Sequence, residues 1–173
     1  TFNDEDTINL YVEGSAHGTR PKTKNVLYGT AGVEVYSWFS ASESPSRGLF
    51  SQDGRCIGVS GAQFGEIPDG GGAVINTGTV TDDGDPISAG SNGTAGFQIF
   101  FASGGDGYVF ATDANTLTQI SDGEFPDDVI MMTYFEGYTV ALVRNSRQFN
   151  ISALEDALDW DGLDVYERNI GSD

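Results

Sequence analysis

The strongest candidates for nucleophilic or acid–base chemistry in this sequence are Ser60, Cys56 and the single histidine, His17. Nucleophilic catalysis requires a nucleophile, a base and an orienting group within mutual reach. His17 lies in a glycine-flanked segment, and the Gly58–Ala62 segment around Ser60 lacks the last glycine of a nucleophile elbow. Cys56 lies in an apolar stretch, which predicts a buried and inert thiol. We therefore predict no catalytic residue and no enzymatic activity.

Carboxylates are abundant, and they fall into three clusters at 82–85, 122–128 and 156–164. Hard cations take several oxygen ligands, but Asp159-x-Asp161-Gly162 is only a fragment of a calcium loop without a bidentate glutamate at the right distance. A glycosidase uses two carboxylates, yet among 17 Asp and 9 Glu such pairs arise by chance. We expect these clusters to be solvated turn residues, and we predict neither a metal site nor a cofactor.

The charge balance restricts the partners of the chain. Eight basic residues against 26 acidic ones give a formal net charge of −18, which disfavours binding to DNA phosphates or to an anionic membrane. Arg20, Lys22 and Lys24 form the one basic cluster. We interpret this cluster either as a solubilising loop or as a contact to an acidic neighbour, for example another copy of the chain.

The composition favours strands over helices. The sequence has 24 glycines in 173 residues, few good helix formers, and many Val, Ile, Phe, Tyr and Thr residues, which favour short strands joined by tight turns. The first 46 residues are predicted to form an N-terminal arm with entry strands. Alternation at 33–36 predicts a half-buried strand there.

A repeat fills residues 47–173. Three similar hairpins are predicted, with strands at 56–60 and 63–67, at 97–102 and 107–111, and at 138–143 and 148–151. Phe64, Tyr108 and Phe149 lie on the second strands of these hairpins, at spacings of 44 and 41 residues. A further strand, at 48–50, 87–89 and 129–135, precedes each hairpin across an Asp-Gly, Asn-Gly or Glu-Gly turn. A fourth element follows the aromatic residue in each unit, at 73–75 in the first and 117–120 in the second. This arithmetic is typical of a β-propeller with four-stranded blades, here at about 47–85, 86–126 and 127–173, with the three aromatic residues in the blade cores. The alternative is an evenly spaced β-sandwich.

The third unit differs in its last element. Ser152 and Glu155 form a capping box, and Leu154, Ala157 and Leu158 fit one face of a short helix that ends near residue 160. Three blades do not close a ring, because known propellers have about four to eight. We therefore expect the chain to be part of a longer polypeptide or of a multi-chain assembly.

The order of several motifs resembles one known family, the packaged-DNA stabilisation proteins of podoviruses. The matching motifs span roughly residues 7 to 165 and occur at 8–11, 27–33, 116–120, 125–126, 136–138, 147–149, 151–152 and 160–164. The family is longer than this chain and has more blades and additional domains.

The resemblance implies a non-enzymatic, propeller-containing virion protein that is assembled in the host bacterial cytoplasm. It implies a homo-oligomeric ring, a hexamer, in the tail or neck, which closes the DNA exit channel and passes DNA without sequence-specific binding. The implied partners are a portal or adaptor protein above and needle, nozzle or tailspike proteins below. Two alternatives stay open: a secreted propeller glycosidase or sugar-binding module, and the acid-surfaced binding domain of a halophile.

Overall fold

The computed structural model describes residues 10–14, 25–29, 35–39, 44–92 and 97–167. The chain divides into two compact units, residues 1–35 and 36–173. In the first unit, strands β1 (Leu10–Gly14) and β2 (Asn25–Gly29) pair antiparallel.

The second unit contains strands and no helix in the residues that the structure describes. Twelve of these strands form three four-stranded antiparallel sheets, each a meander along the chain. Sheet 1 contains β4 (Ser46–Gln52), β5 (Arg55–Ser60), β6 (Gln63–Ile67) and β8 (Ile75–Thr79). Sheet 2 contains β9 (Ala89–Ser91), β10 (Gln98–Ser103), β11 (Asp106–Ala111) and β12 (Thr116–Gln119). Sheet 3 contains β13 (Val129–Phe135), β14 (Tyr138–Val143), β15 (Gln148–Ala153) and β16 (Asp156–Glu167). The all-β prediction and its four-stranded repeat are confirmed.

Two hairpin turns follow the expected chemistry. Asp53-Gly54 joins β4 to β5, and Glu136-Gly137 joins β13 to β14. Both residues of each turn have positive φ, at 51° and 75° in the first and 46° and 96° in the second. A two-residue type I′ turn requires this conformation, and glycine adopts it without a steric cost.

The predicted helix after Ser152 is wrong. Leu154 and Glu155 form the turn between β15 and β16, and Glu155 has a left-handed φ of 58°. The Ser152 hydroxyl accepts a hydrogen bond from the N–H of Thr139 on β14 at 3.0 Å instead of capping a helix. Ala157 and Trp160 lie buried against sheet 2, so packing against the neighbouring sheet outweighs the local helix signal.

Three strand boundaries also differ from the prediction. Val35 and Tyr36 lie outside any strand, and the short strand β3 (Ser37–Trp38) pairs in parallel with β7 (Gly72–Ala73). The strand expected at 87–89 begins only at Ala89. The element expected at 73–75 is split between β7 and β8.

The three sheets are stacked in chain order, with sheet 2 in the middle. One face of β10 and β11 packs against sheet 1 through Ile99, Phe101, Tyr108 and Phe110. The opposite face packs against sheet 3 through Phe100, Ala102 and Val109. Successive residues of a strand point to opposite faces. Since both faces of β10 and β11 are buried, apolar residues occupy nearly every position of these two strands. A two-sheet sandwich has a single core between two sheets, so it does not describe this arrangement.

Candidate functional site

The candidates for nucleophilic chemistry have different surroundings. Ser60 is buried, and its hydroxyl donates a hydrogen bond to the carbonyl of Ser44 at 2.8 Å. Cys56 is partly exposed, and on β5 it alternates with the buried Ile57, so the prediction of a fully buried thiol is wrong. His17 lies outside the described residues.

The acidic cluster at 82–85 surrounds a buried arginine. Arg47 is only 5% exposed and lies on β4, at the edge of sheet 1. Its guanidinium pairs with the carboxylate of Asp83 and lies 3.4 Å from that of Asp82. It also donates to the carbonyls of Asp85 at 2.8 Å, Gly61 at 3.1 Å and Thr81 at 3.2 Å. Residues 82–85 are all exposed, as expected of solvated turn residues, but the cluster has a second role that the sequence did not indicate: it neutralises Arg47.

The protonation of Asp83 reflects this contact. Burial favours the neutral acid, but hydrogen bonds from backbone N–H groups, among them that of Asp85, and the charge of Arg47 outweigh burial and lower the pKa of Asp83. Thus Arg47 holds the connection between β8 and β9 against sheet 1 through an ionised partner.

Arg144 extends the cluster toward sheet 3. Its guanidinium lies 3.1 Å from the carboxylate of Asp128 and 3.7 Å from that of Asp85. A cavity of about 250 Å³ beside these groups is lined by charged and apolar side chains, including Arg47 and Ile130. Arg144 is 42% exposed, so water screens its ion pairs far more than those of Arg47.

A second polar cluster joins sheet 1 to sheet 2. Arg55 makes a bidentate contact with Glu66, at 2.8 Å and 2.5 Å, and its other donors reach the carbonyl of Thr112 and the side chain of Asn115 on the β11–β12 turn. Asn76 donates to the same carboxylate at 2.6 Å. Hydrogen bonding from Arg55 is the largest effect, and together with Asn76 it outweighs burial and lowers the pKa of Glu66.

The remaining acidic clusters also contact backbone. Asp122 accepts hydrogen bonds from the N–H groups of Glu124 at 2.9 Å and Trp160 at 3.1 Å, which lower its pKa. Asp156 accepts from Gln98 of sheet 2 and from the N–H of Leu158, each at 3.0 Å. No group of three His, Cys, Asp or Glu that could hold a metal ion occurs within the described parts of the chain.

The predicted blade-core aromatics all lie on the third strand of a sheet, Phe64 on β6, Tyr108 on β11 and Phe149 on β15. Phe64 and Tyr108, however, face each other's sheets within one interface, on either side of Phe101. Tyr108 is one residue further from its turn than Phe64, and a one-residue offset reverses the face. The two side chains therefore occupy the same strand of their sheets but opposite faces. Both are buried, whereas Phe149 is only partly buried.

The basic cluster of Arg20, Lys22 and Lys24 lies outside the described residues, so its contact role stays a prediction.

Sequence reasoning missed the exposed apolar face of sheet 3. Met131, Phe135, Tyr138 and Leu142 are all at least 36% exposed there. The signal was present at 129–135, where apolar residues occupy both faces of the strand. Such a run is typical of a strand that is covered on both sides.

No family model matches the sequence, and no curated protein is significantly similar to it. In the part of the chain that the structure describes, no helix is long and apolar enough to cross a membrane.

Proposed function

We propose that this chain is a structural virion protein of a short-tailed phage, a tail-hub or head-to-tail connector component that closes the DNA exit channel and anchors tail parts. In this proposal the three sheets are consecutive blades of a β-propeller, and the chain acts within a homo-oligomeric ring. The observation that carries the proposal is the serial stack of three four-stranded meanders.

The stack supports a propeller because neighbouring blades pack face to face in chain order. Sheet 2 is covered on both faces, as a blade inside a ring is. Within the described residues, Met131, Phe135 and Tyr138 of sheet 3 are exposed, as side chains that pack against a further blade would be. The motif order described above agrees with this architecture and adds the virion context.

The charge supports a passive DNA conduit. A channel that passes duplex DNA must not hold it, and each phosphate that Lys or Arg neutralises adds affinity through counterion release. Of the eight basic residues, Arg47 and Arg55 are engaged with carboxylates between sheets 1 and 2. The proposal places portal or adaptor proteins above the ring and needle, nozzle or tailspike proteins below it.

The test is to localise the chain in purified virions of the phage that encodes it. Immunogold labelling and mass spectrometry of isolated portal–tail complexes are expected to place it at the neck or tail. In parallel, fluorescence anisotropy with a labelled short DNA duplex at 50 mM salt is expected to give no saturable binding. Absence from purified virions, tight salt-sensitive DNA binding or turnover of a glycoside would each overturn the proposal.

A further inference from the structure

One reactive dipeptide, Asp-Gly, recurs along the chain. It occurs six times, at residues 53–54, 69–70, 83–84, 106–107, 122–123 and 161–162. In this dipeptide the glycine nitrogen can attack the carboxyl carbon of the aspartate, because glycine has no Cβ that shields the nitrogen. The new C–N bond closes a succinimide ring and releases one water molecule. Hydrolysis of the ring consumes one water molecule and leaves either aspartate or isoaspartate, in which the main chain runs through the former side chain.

The attack requires a carboxyl group and a backbone that can both move. The glycine nitrogen and the carboxyl carbon must meet in the right orientation, as in any intramolecular reaction. A carboxylate that is held by hydrogen-bond donors is kept away from this geometry, and so is a glycine nitrogen that is held in a strand. The contacts of each Asp-Gly dipeptide therefore decide whether it reacts in the folded chain.

Hydrogen bonds hold the carboxylates of Asp83 and Asp122. Asp83 pairs with Arg47 and accepts a hydrogen bond from the N–H of Gly104 at 3.2 Å. Asp122 accepts hydrogen bonds from two backbone N–H groups, at 2.9 Å and 3.1 Å. Neither carboxyl group can turn toward the nitrogen of its own glycine without breaking these contacts.

Two further dipeptides are fixed within strands. Asp106 lies at the start of β11, and its carboxylate accepts a hydrogen bond from the hydroxyl of Thr81 at 2.7 Å. The following glycine, Gly107, is buried and pairs with Ala102 on β10. Asp161 lies inside β16 and has an interaction partner. The backbone at both dipeptides is therefore held extended.

The aspartates of the other two dipeptides, Asp53 and Asp69, are exposed. Within the described residues, neither carboxylate has a hydrogen-bond or ion-pair partner. Asp53 and its glycine form the two-residue turn between β4 and β5, and the pair Gln52–Arg55 closes this turn. Rotation of the backbone at Asp53 would disrupt the hairpin, so its free carboxylate alone does not make it reactive.

The backbone at Asp69 is held less firmly. Its turn lies between β6 and β7 and is closed by one hydrogen bond, from the N–H of Gly71 to the carbonyl of Pro68 at 2.9 Å. Asp69 is followed by three glycines, and Gly71 and Gly72 have positive φ values of 72° and 100°. A run of glycines resists rotation less than any other sequence.

We propose that Asp69-Gly70 is a site of spontaneous isoaspartate formation, and that the fold protects the other five Asp-Gly dipeptides. The inference goes beyond the virion role and does not depend on it, because it rests only on the contacts of these dipeptides.

Isoaspartate at this position changes the attachment of β3. The hydroxyl of Tyr36 donates to the main-chain carbonyl of Asp69, and the hydroxyl of Ser37 donates to the carbonyl of Gly72 at 2.7 Å. Isomerisation converts the Asp69 carbonyl into a free carboxylate and lengthens the main chain by one carbon atom. The modification therefore loosens the pairing of β3 with β7.

Peptide mapping of aged protein tests the proposal. The folded chain is incubated for several weeks at physiological temperature in water enriched in heavy oxygen, and each succinimide that opens takes up one heavy oxygen atom. Mass spectrometry with electron-based fragmentation then distinguishes isoaspartate from aspartate. Isoaspartate at Asp69 is expected to exceed that at each of the other five dipeptides at least tenfold. A chain unfolded in guanidinium chloride is expected to form it at all six, because the protecting contacts are absent.

Gly70→Ala is a matched variant that retains the fold. A Cβ at Gly70 would meet no atom within 4 Å, and the φ of Gly70 lies outside the left-handed region. The added Cβ shields the attacking nitrogen, so isoaspartate formation at Asp69 is expected to fall at least tenfold, with no change at Asp53. Equal formation at all six dipeptides of the folded chain would overturn the proposal. So would formation at Asp69 only after unfolding, or an equal rate at Asp69 in Gly70→Ala and the wild type.

Discussion

Arg47 and Asp83 form an ion pair in which the arginine side chain is 2% exposed and the aspartate side chain 27%. The pair joins the first strand of sheet 1 to the connection that leads into sheet 2. Arg47 also donates hydrogen bonds to three backbone carbonyls around it. A single side chain therefore satisfies several polar groups where this connection meets sheet 1. The guanidinium suits this role because it has five donors in a fixed planar arrangement.

Replacing Arg47 with Ala is expected to destabilise the fold by about 3 kcal/mol, because it leaves buried carbonyls and a carboxylate without their donor. Arg47→Lys keeps the charge but not the fork of donors, so an intermediate loss is expected. Arg144→Ala is the control: its ion pairs are exposed and screened by water, so a much smaller loss of stability than for Arg47→Ala is expected. Equilibrium unfolding in urea measures the free energy of unfolding of all three variants. Equal losses of stability for Arg47→Ala and Arg144→Ala would contradict the role assigned to Arg47.

Glu66 predicts a pH dependence of stability. Its pKa is lower in the folded chain than in the unfolded chain, mainly because Arg55 donates to its carboxylate. The folded state therefore favours the ionised form, and this contribution is fully present above the unfolded pKa of about 4.3. It is lost as the pH falls through the lower, folded pKa.

Unfolding free energies of the wild type and Glu66→Gln between pH 7 and pH 3 measure this contribution. The wild type is expected to be the more stable at pH 7, and the difference is expected to shrink as the pH falls below 4. The wild type and Glu66→Gln both retain the other carboxylates whose pKa is lowered. The difference between their unfolding free energies therefore reports on Glu66. A difference that does not change with pH would contradict the prediction.

The ring and the hydroxyl of Tyr108 make different contacts, which two substitutions can distinguish. The ring stacks on Phe101 at 5.6 Å, and the hydroxyl accepts a hydrogen bond from the N–H of Thr81 at 2.9 Å. Tyr108→Ala is expected to cost about 3 kcal/mol or more, because it opens a cavity between sheets 1 and 2. Tyr108→Phe keeps the ring and is expected to cost about 1 kcal/mol. Thermal unfolding monitored by circular dichroism distinguishes them, and similar losses in both variants would place the energy in the hydroxyl instead.

Local patterns predicted the strands well where turn chemistry and side-chain type agreed. The strands at 129–135 and 138–143 match the prediction to the residue, because a Glu-Gly turn separates two runs of β-formers. The capping box at Ser152 failed because the same hydroxyl can bond to a neighbouring strand, and only the fold decides which donor is near.

The polar contacts between sheets could not be predicted in this way. Arg47 meets Asp83 across 36 residues, and no local periodicity encodes that approach. A weaker signal did exist: an arginine inside a strand of a strongly acidic chain is buried only when it is paired. The one-residue offset between Phe64 and Tyr108 could not be predicted for a similar reason. The repeat was aligned on the aromatic residues themselves, and this alignment ignores how far each of them lies from the preceding turn.

The basic cluster gives the last prediction, which concerns the proposed ring and its DNA path. Arg20, Lys22 and Lys24 are three of only eight basic residues, and a DNA-lining position would let them hold phosphates and slow ejection. We expect them to face a neighbouring subunit or ring instead. Reversing all three charges is then expected to weaken assembly with the tail partners at low ionic strength, and much less near 1 M salt, where the screening length is about 3 Å. Co-sedimentation of wild type and variant with isolated tail complexes over a salt series measures this. The control for net charge adds the same negative charge elsewhere, by replacing exposed neutral residues of the sheets and their connections with Glu: Ser51, Ser88, Thr116, Thr118, Gln119 and Ser121. Equal loss in both variants would assign the effect to net charge, and salt-sensitive binding of duplex DNA that is lost only when the basic cluster is reversed would place the cluster in the DNA path.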